Sequence, residues 1–207
     1  MKTTELKEIT RILKRGGVII FPTETVYGIG ADSFIKKGIR KIYEIKRRDR
    51  KKPLTLHLSD PSHIYKFGEV NSVAKIIIEN FLPGPITIIL PKKRNIPRYI
   101  VAGKKKVGFR VPNCKVSQEI ISYYGGPISA TSVNISGSPP LNDIDKIEEM
   151  FRNSVDYIVR EPCKLSKMSS TILDLTYKPF KVIREGEIKI EEIVNFLRRY
   201  KVLWKLL

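Results

Sequence analysis

Short apolar runs alternate with helix-spaced apolar stripes along nearly the whole chain, and that alternation restricts the folds open to it. Gly17-Val18-Ile19-Ile20-Phe21 reads as a buried strand closed by Pro22, which has no N–H for a ladder. The runs 54–58, 86–90, 107–111 and 128–131 read as further strands, with shorter ones at 155–159, 171–175 and 181–184. Helical spacing recurs in Leu6, Ile9, Ile12 and Leu13, in Ile35, Ile39 and Ile42, and in Val73, Ile76, Ile77 and Phe81. It returns in Ile144, Ile147 and Phe151, and in Ile190, Ile193, Val194, Leu197 and Tyr200. Another helix is expected over 116–124, ending at Gly125-Gly126. Gly16-Gly17 stops the first helix, Asn71 stands as an N-cap, and Asn142 or Asp143 serves the helix through Ile147. The pattern predicts an α/β or α+β fold around a mixed sheet. With no repeat, low-complexity tract or Ser/Gly linker, residues 1–207 are expected to form a single domain.

Composition narrows the setting. No apolar run approaches the roughly 20 residues of a membrane helix, and the N-terminus lacks the apolar core of a signal peptide. Cys114 and Cys163 form no CxxC, so neither a disulfide framework nor a zinc site is indicated, and a reducing cytoplasm is expected. His57 and His63 are too few for a histidine metal cluster. The formal charge is +18, from 39 basic and 21 acidic residues. That excess favours phosphate-bearing ligands, although high lysine also suits a solvated surface.

Four polar constellations follow from the reading. Pro22-Thr23-Glu24-Thr25-Val26-Tyr27-Gly28 places two hydroxyls and a carboxylate where a strand opens onto a loop. It suits a small, multiply hydrogen-bonded ligand, or an ordinary turn. Lys46-Arg47-Arg48-Asp49-Arg50-Lys51-Lys52 ends a helix with six cations in seven residues. It reads either as a solvated helix end or as a phosphate clamp. Ser132 and Asn134 lie two apart, so in extended backbone they face one way, toward a ligand or into a local turn. Arg110 sits in the apolar run Val107-Gly108-Phe109-Arg110-Val111, and is either ion-paired or a carboxylate anchor. Ser169-Ser170-Thr171-Ile172-Leu173-Asp174 and, downstream, Arg184-Glu185-Gly186 add weaker signals. GxxxxGK[ST] and GxGxxG are absent. The segments 91–106 and 136–142 read as loops.

In this order the segments resemble the YrdC-like family of L-threonylcarbamoyladenylate synthases. The matching pieces are Phe21 to Gly28, Lys46-x-Arg48 before Pro53-Leu54, and Pro83-Gly84-Pro85-Ile86-Thr87. Gly108-Phe109-Arg110-Val111-Pro112, Ser132-x-Asn134 with Ser136-Gly137, Ser170-Thr171-Ile172 and Arg184-x-Gly186 complete the set. The resemblance implies an open twisted mixed sheet flanked by helices, with a basic concave cavity. It implies that ATP, L-threonine and bicarbonate give L-threonylcarbamoyladenylate and pyrophosphate, and that a separate transferase complex then modifies tRNA. It assigns Thr25, His57, Arg110, Ser132 and Ser170 to L-threonine, and Lys46, Arg48, Lys52, Asn134 and Arg184 to ATP. Lys46 and Arg48 are expected to neutralise the transferring phosphates, with Mg²⁺ arriving on ATP. In length the chain looks like the short form of the family. It departs from the common pattern at Arg47 (usually glycine), Asp49 (proline), Lys52 (asparagine) and Val133 (alanine).

Two other readings compete. One is a tRNA- or double-stranded-RNA-binding protein without catalysis, which predicts steep salt dependence. The other is a carbamoyl-transfer domain of the same fold, which predicts indifference to threonine.

Overall fold

The computed structural model describes residues 1–199. Among them the chain forms, in order, α1 (Thr3–Lys14), β1 (Val18–Phe21), β2 (Gly28–Asp32), α2 (Lys36–Ile45) and β3 (Thr55–His57). After a 3₁₀ turn come α3 (Ile64–Phe67), α4 (Ser72–Phe81), β4 (Ile86–Pro91), β5 (Lys106–Arg110) and α5 (Lys115–Tyr124). The remaining elements are β6 (Ile128–Ser132), α6 (Ile144–Phe151), β7 (Tyr157–Ile158), β8 (Thr171–Asp174), β9 (Lys181–Arg184) and α7 (Ile190–Arg199). Tyr200, the last residue of the predicted C-terminal stripe, lies outside the described residues.

The strands form one mixed sheet in the order β7-β1-β2-β6-β3-β5-β4-β8-β9. Its β1-β2-β6 half is covered on both faces. Val18, Ile20, Ile29 and Ala31 pack with Ile39 and Ile42 of α2 and Ile147 and Phe151 of α6. Ile19, Phe21, Ile128 and Ala130 pack on the other side with Ile9 and Leu13 of α1 and Ile120 and Ile121 of α5. In the β3-β5-β4-β8 half only one face is filled. There Leu56, Ile88, Leu90, Val107, Phe109 and Leu173 meet Ile77 and Ile78 of α4 and Ile193 and Leu197 of α7. The alternate residues, Thr55, His57, Thr87, Ile89, Gly108, Arg110, Ile172 and Asp174, point the opposite way, as the two-residue period of a strand requires.

Strand β2 is absent from the sequence reading. Gly28-Ile29-Gly30-Ala31-Asp32 carries two glycines, which weaken a strand signal. Close packing explains Gly30. A Cβ there would lie 2.7 Å from Ile128 Cγ2 and 3.0 Å from Ala130 Cβ on the paired strand β6. The segment 91–106 is irregular but not peripheral, since Ile96, Ile100 and Val101 are fully buried. No helix of the described residues is long and apolar enough to cross a membrane.

Candidate active site

The uncovered face of β3, β5, β4 and β8 is the floor of a cavity of ≈ 510 Å³. Registers across the sheet arrange that floor in rows. Ala130, Thr55 and Gly108 are paired neighbours, followed by Ile89 and Asp174. In the next row His57 pairs with Arg110, while Thr87, Ile172 and Arg184 pair in turn. Gly108 leaves the centre of the floor without a side chain.

One end of the cavity is built by the turn after β1. Thr23 Oγ1 donates to the Val26 carbonyl at 2.6 Å and accepts from the Thr25 and Val26 amides, which fixes the turn. Thr25 Oγ1 lies 3.0 Å from Thr23 Oγ1 and accepts from Arg110 Nη2 at 3.0 Å. Arg110 Nη2 also donates to Glu24 Oε1 at 2.7 Å, so the apolar-run arginine is ion-paired. The pair is only half satisfied: Arg110 Nε and Glu24 Oε2 are buried and have no hydrogen-bond partner among the described residues. A ligand carboxylate is the natural complement to the free Nε edge of Arg110.

His57 stands beside Arg110 and is buried. Burial and the Arg110 charge push its imidazolium down to about 3, so the ring is neutral. Its Nδ1 pairs with the Thr55 carbonyl at 3.2 Å and its ring meets Phe21 edge-on. With Nδ1 carrying the proton toward that carbonyl, Nε2 is an acceptor. No hydroxyl or thiol is hydrogen-bonded to it among the described residues, so it activates no nucleophile.

The opposite wall comes from the β8 entry and β9. Ser170 Oγ lies 3.0 Å from Thr87 Oγ1, and Arg184 reaches both the Ser170 carbonyl (2.9 and 3.0 Å) and its hydroxyl (3.2 Å). Burial, reinforced by nearby Arg110, lowers the Arg184 pKa. At the mouth, Arg48 donates to the Lys52 carbonyl at 3.2 Å and the Pro53 carbonyl at 2.9 Å. It has no carboxylate partner among the described residues, and burial lowers its pKa too. Cations held by carbonyls, without a neutralising acid, attract phosphate.

Eight of the ten sequence-derived residues therefore meet in one cavity: Thr25, Arg48, Lys52, His57, Arg110, Ser132, Ser170 and Arg184. Lys46 and Asn134 do not line it. Lys46 is 1 % exposed, and its ammonium donates to the Ser132 carbonyl and to two oxygens of Asn134. Burial, with Arg48 nearby, pulls the Lys46 pKa down to about 7.

Sequence reasoning placed Asp174 in a weak constellation without a role, and missed Lys104 and Lys106 as lining residues. Lys106 and Asp174 are bonded at 2.5 Å, which raises the Lys106 pKa and lowers that of Asp174. The signal was the period of two. In Lys106-Val107-Gly108-Phe109-Arg110, the lysine shares a face with Arg110. Asp174 is the one carboxylate among the lining residues, and it is occupied by Lys106 and by Thr176. Among the described residues, no group of three His, Cys, Asp or Glu is placed to hold a metal.

Comparison with known proteins finds relatives along most of the chain. A Methanocaldococcus jannaschii protein that bears the name threonylcarbamoyl-AMP synthase provisionally is 39 % identical over 196 residues, covering 92 % of each chain. The threonylcarbamoyl-AMP synthase of Bacillus subtilis is 32 % identical over 192 residues, which span 91 % of this chain but 55 % of that protein. Among solved structures, Pyrococcus abyssi Sua5 complexed with L-threonine superposes with a TM-score of 0.91 at 30 % identity, over 95 % of this chain and 58 % of that one. The chain thus spans a little over half the length of these last two proteins. The family model for Sua5, YciO and YrdC, described as Telomere recombination, matches residues 11–186. With that match running from α1 to the loop after β9, the chain belongs to the Sua5/YciO/YrdC family.

Proposed function

We propose that the protein is an L-threonylcarbamoyladenylate synthase, an adenylyl-transferring enzyme that uses L-threonine, bicarbonate and MgATP. One observation carries the reading. A single cavity joins an amino-acid-sized hydroxyl, imidazole and arginine cluster (Thr25, His57, Arg110, Ser170) to acid-free cations (Arg48, Lys52). Arg110 takes the threonine carboxylate, and the neutral His57 Nε2 accepts a hydrogen bond from the substrate hydroxyl or amine.

The threonine nitrogen adds to bicarbonate with loss of water, giving a carbamate. A carbamate oxygen then attacks the α-phosphorus of ATP, and the bond to the β-phosphate oxygen breaks to release pyrophosphate. Such a transfer needs alignment and charge neutralisation more than a covalent nucleophile. Arg48, Lys52 and Arg184 neutralise the phosphates, and Mg²⁺ enters as part of the nucleotide. The product is an activated acyl donor for a separate transferase acting on tRNA in the cytoplasm.

Pyrophosphate release from MgATP, with threonine or bicarbonate omitted in turn, tests the reading. Release that requires both is the expected result; release indifferent to threonine overturns it in favour of another carbamoyl transfer. The net charge of +18 also favours RNA binding. If RNA binds with steep salt dependence while MgATP and threonine leave the melting temperature unmoved, the non-catalytic reading replaces this one.

A further inference from the structure

Lys46 is fully buried, has no carboxylate partner among the described residues, and lies outside the cavity lining. An ammonium in that position is costly unless its protons are used. All of its hydrogen bonds go to one short segment: the Ser132 carbonyl at 2.5 Å, the Asn134 carbonyl at 2.7 Å and Asn134 Oδ1 at 2.7 Å. Three donors on a tetrahedral nitrogen meet three oxygens. The Lys46 carbonyl also accepts from the Ser136 amide at 2.9 Å, so the residue grips the segment at four points.

Asn134 is equally committed. Its Oδ1 also accepts from Ser132 Oγ at 2.9 Å, and its Nδ2 donates to the Ile135 and Ser138 carbonyls at 3.1 and 2.6 Å. Both protons of the amide are engaged and the oxygen already takes two donors, so the side chain is fully used within the segment. Ser132 differs. Its proton goes to Asn134, which leaves its oxygen as an acceptor on the cavity it lines. Arg47, at φ +49°, turns the chain between the buried Lys46 and Arg48 in the cavity.

We infer that Lys46 is a positioning residue rather than a phosphate ligand: a built-in cation, seated on three oxygens, that holds segment 132–138 and so fixes the Ser132 hydroxyl in the cavity. The kinetic part of this inference rests on the proposed synthase reaction; the structural part does not.

Hydrogen–deuterium exchange on the ligand-free protein reads the structural part. In Lys46→Met the amides of Ser136 and Ser138 are expected to exchange at least about tenfold faster, while β4 and β5 keep wild-type rates. Unchanged exchange at 132–138 overturns the inference, because a phosphate ligand has no work to do without nucleotide. Should Lys46→Met not fold, Asn134→Ala removes one of the three oxygens and must speed the same amides; wild-type rates there overturn the inference equally. In pyrophosphate release, Lys46→Met is expected to raise the threonine KM about tenfold and leave the ATP KM within about twofold. The reverse split marks a phosphate contact and refutes the pin. Lys46→Arg separates the two roles again. A planar guanidinium does not fit a three-oxygen seat, so arginine is expected to restore neither exchange nor threonine KM, and full rescue by arginine sinks the proposal. If the wild type releases no pyrophosphate at all, the synthase reading fails while the exchange result still stands.

Discussion

Replacing His57 with glutamine should change how stability depends on pH, and the size of the change follows from its surroundings. The folded imidazole is held down to about 3 by burial and by Arg110. Its unfolded counterpart titrates near the ordinary value of about 6.5. Between those values the unfolded chain binds a proton that the folded chain refuses, so wild-type stability falls as pH drops through 6.5 and continues to fall until about 3. At pH 5 this linkage removes roughly 2 kcal/mol, against roughly 0.2 kcal/mol at pH 7. Other groups titrate over the same range, but they cancel when wild type and His57→Gln are compared at each pH. The gap between the two proteins should therefore shift by roughly 2 kcal/mol in favour of the variant from pH 7 to pH 5. Urea unfolding at half-unit intervals measures it, as a relative midpoint shift of about 1 M for a slope near 2 kcal/mol per molar. Parallel pH profiles for the two proteins would refute the reasoning, as would an imidazole in the native protein that titrates near 6.

Other residues give independent tests. Glu24→Gln leaves the Arg110 charge buried without a carboxylate, and should cost about 3–5 kcal/mol in urea unfolding; a loss under 1 kcal/mol would show the pair to be solvated. Gly186→Ala should lower both melting temperature and threonine affinity, because its Cβ would lie 2.1 Å from the Ser169 carbonyl oxygen and 2.5 Å from Ser170 C, both backbone. A variant with wild-type melting and affinity contradicts that packing. Arg48→Ala should slow threonine-dependent pyrophosphate release by a factor on the order of 10² or more with the fold intact; near-normal turnover removes Arg48 from the phosphate site.

Much of the cavity was legible because its side chains sit at strand ends, where a proline or glycine marks the exit and polar residues follow an apolar run. Thr25 after Pro22, Ser132 after 128–131 and Arg110 in an apolar strand are of this kind. The less legible parts are long-range. Strand β2 is held by contacts with β1 and β6 that tolerate glycine, so its own composition does not announce it. Lys106 and Asp174 meet only because β4 lies between β5 and β8. Lys46 and Arg48 look alike as neighbours in a basic run. Only the left-handed turn at Arg47 between them sends one inward and the other to the cavity. Glycine, usual there in the family that the sequence resembles, adopts that conformation without penalty.

The strand order carries a consequence for how the molecule comes into being. Strand β3 is flanked by β6 and β5, both later in the chain, and β1 closes against β7 near the far end. Pairings so distant in sequence form slowly, since loop entropy is spent before contacts reward it. The cavity, drawing on residues from Thr23 to Arg184, is therefore among the last features to appear. A nascent chain is blind to the ligand until β8 and β9 have docked. Ligand present during refolding should accordingly slow unfolding and leave the folding rate unaltered, as expected for contacts absent from the transition state.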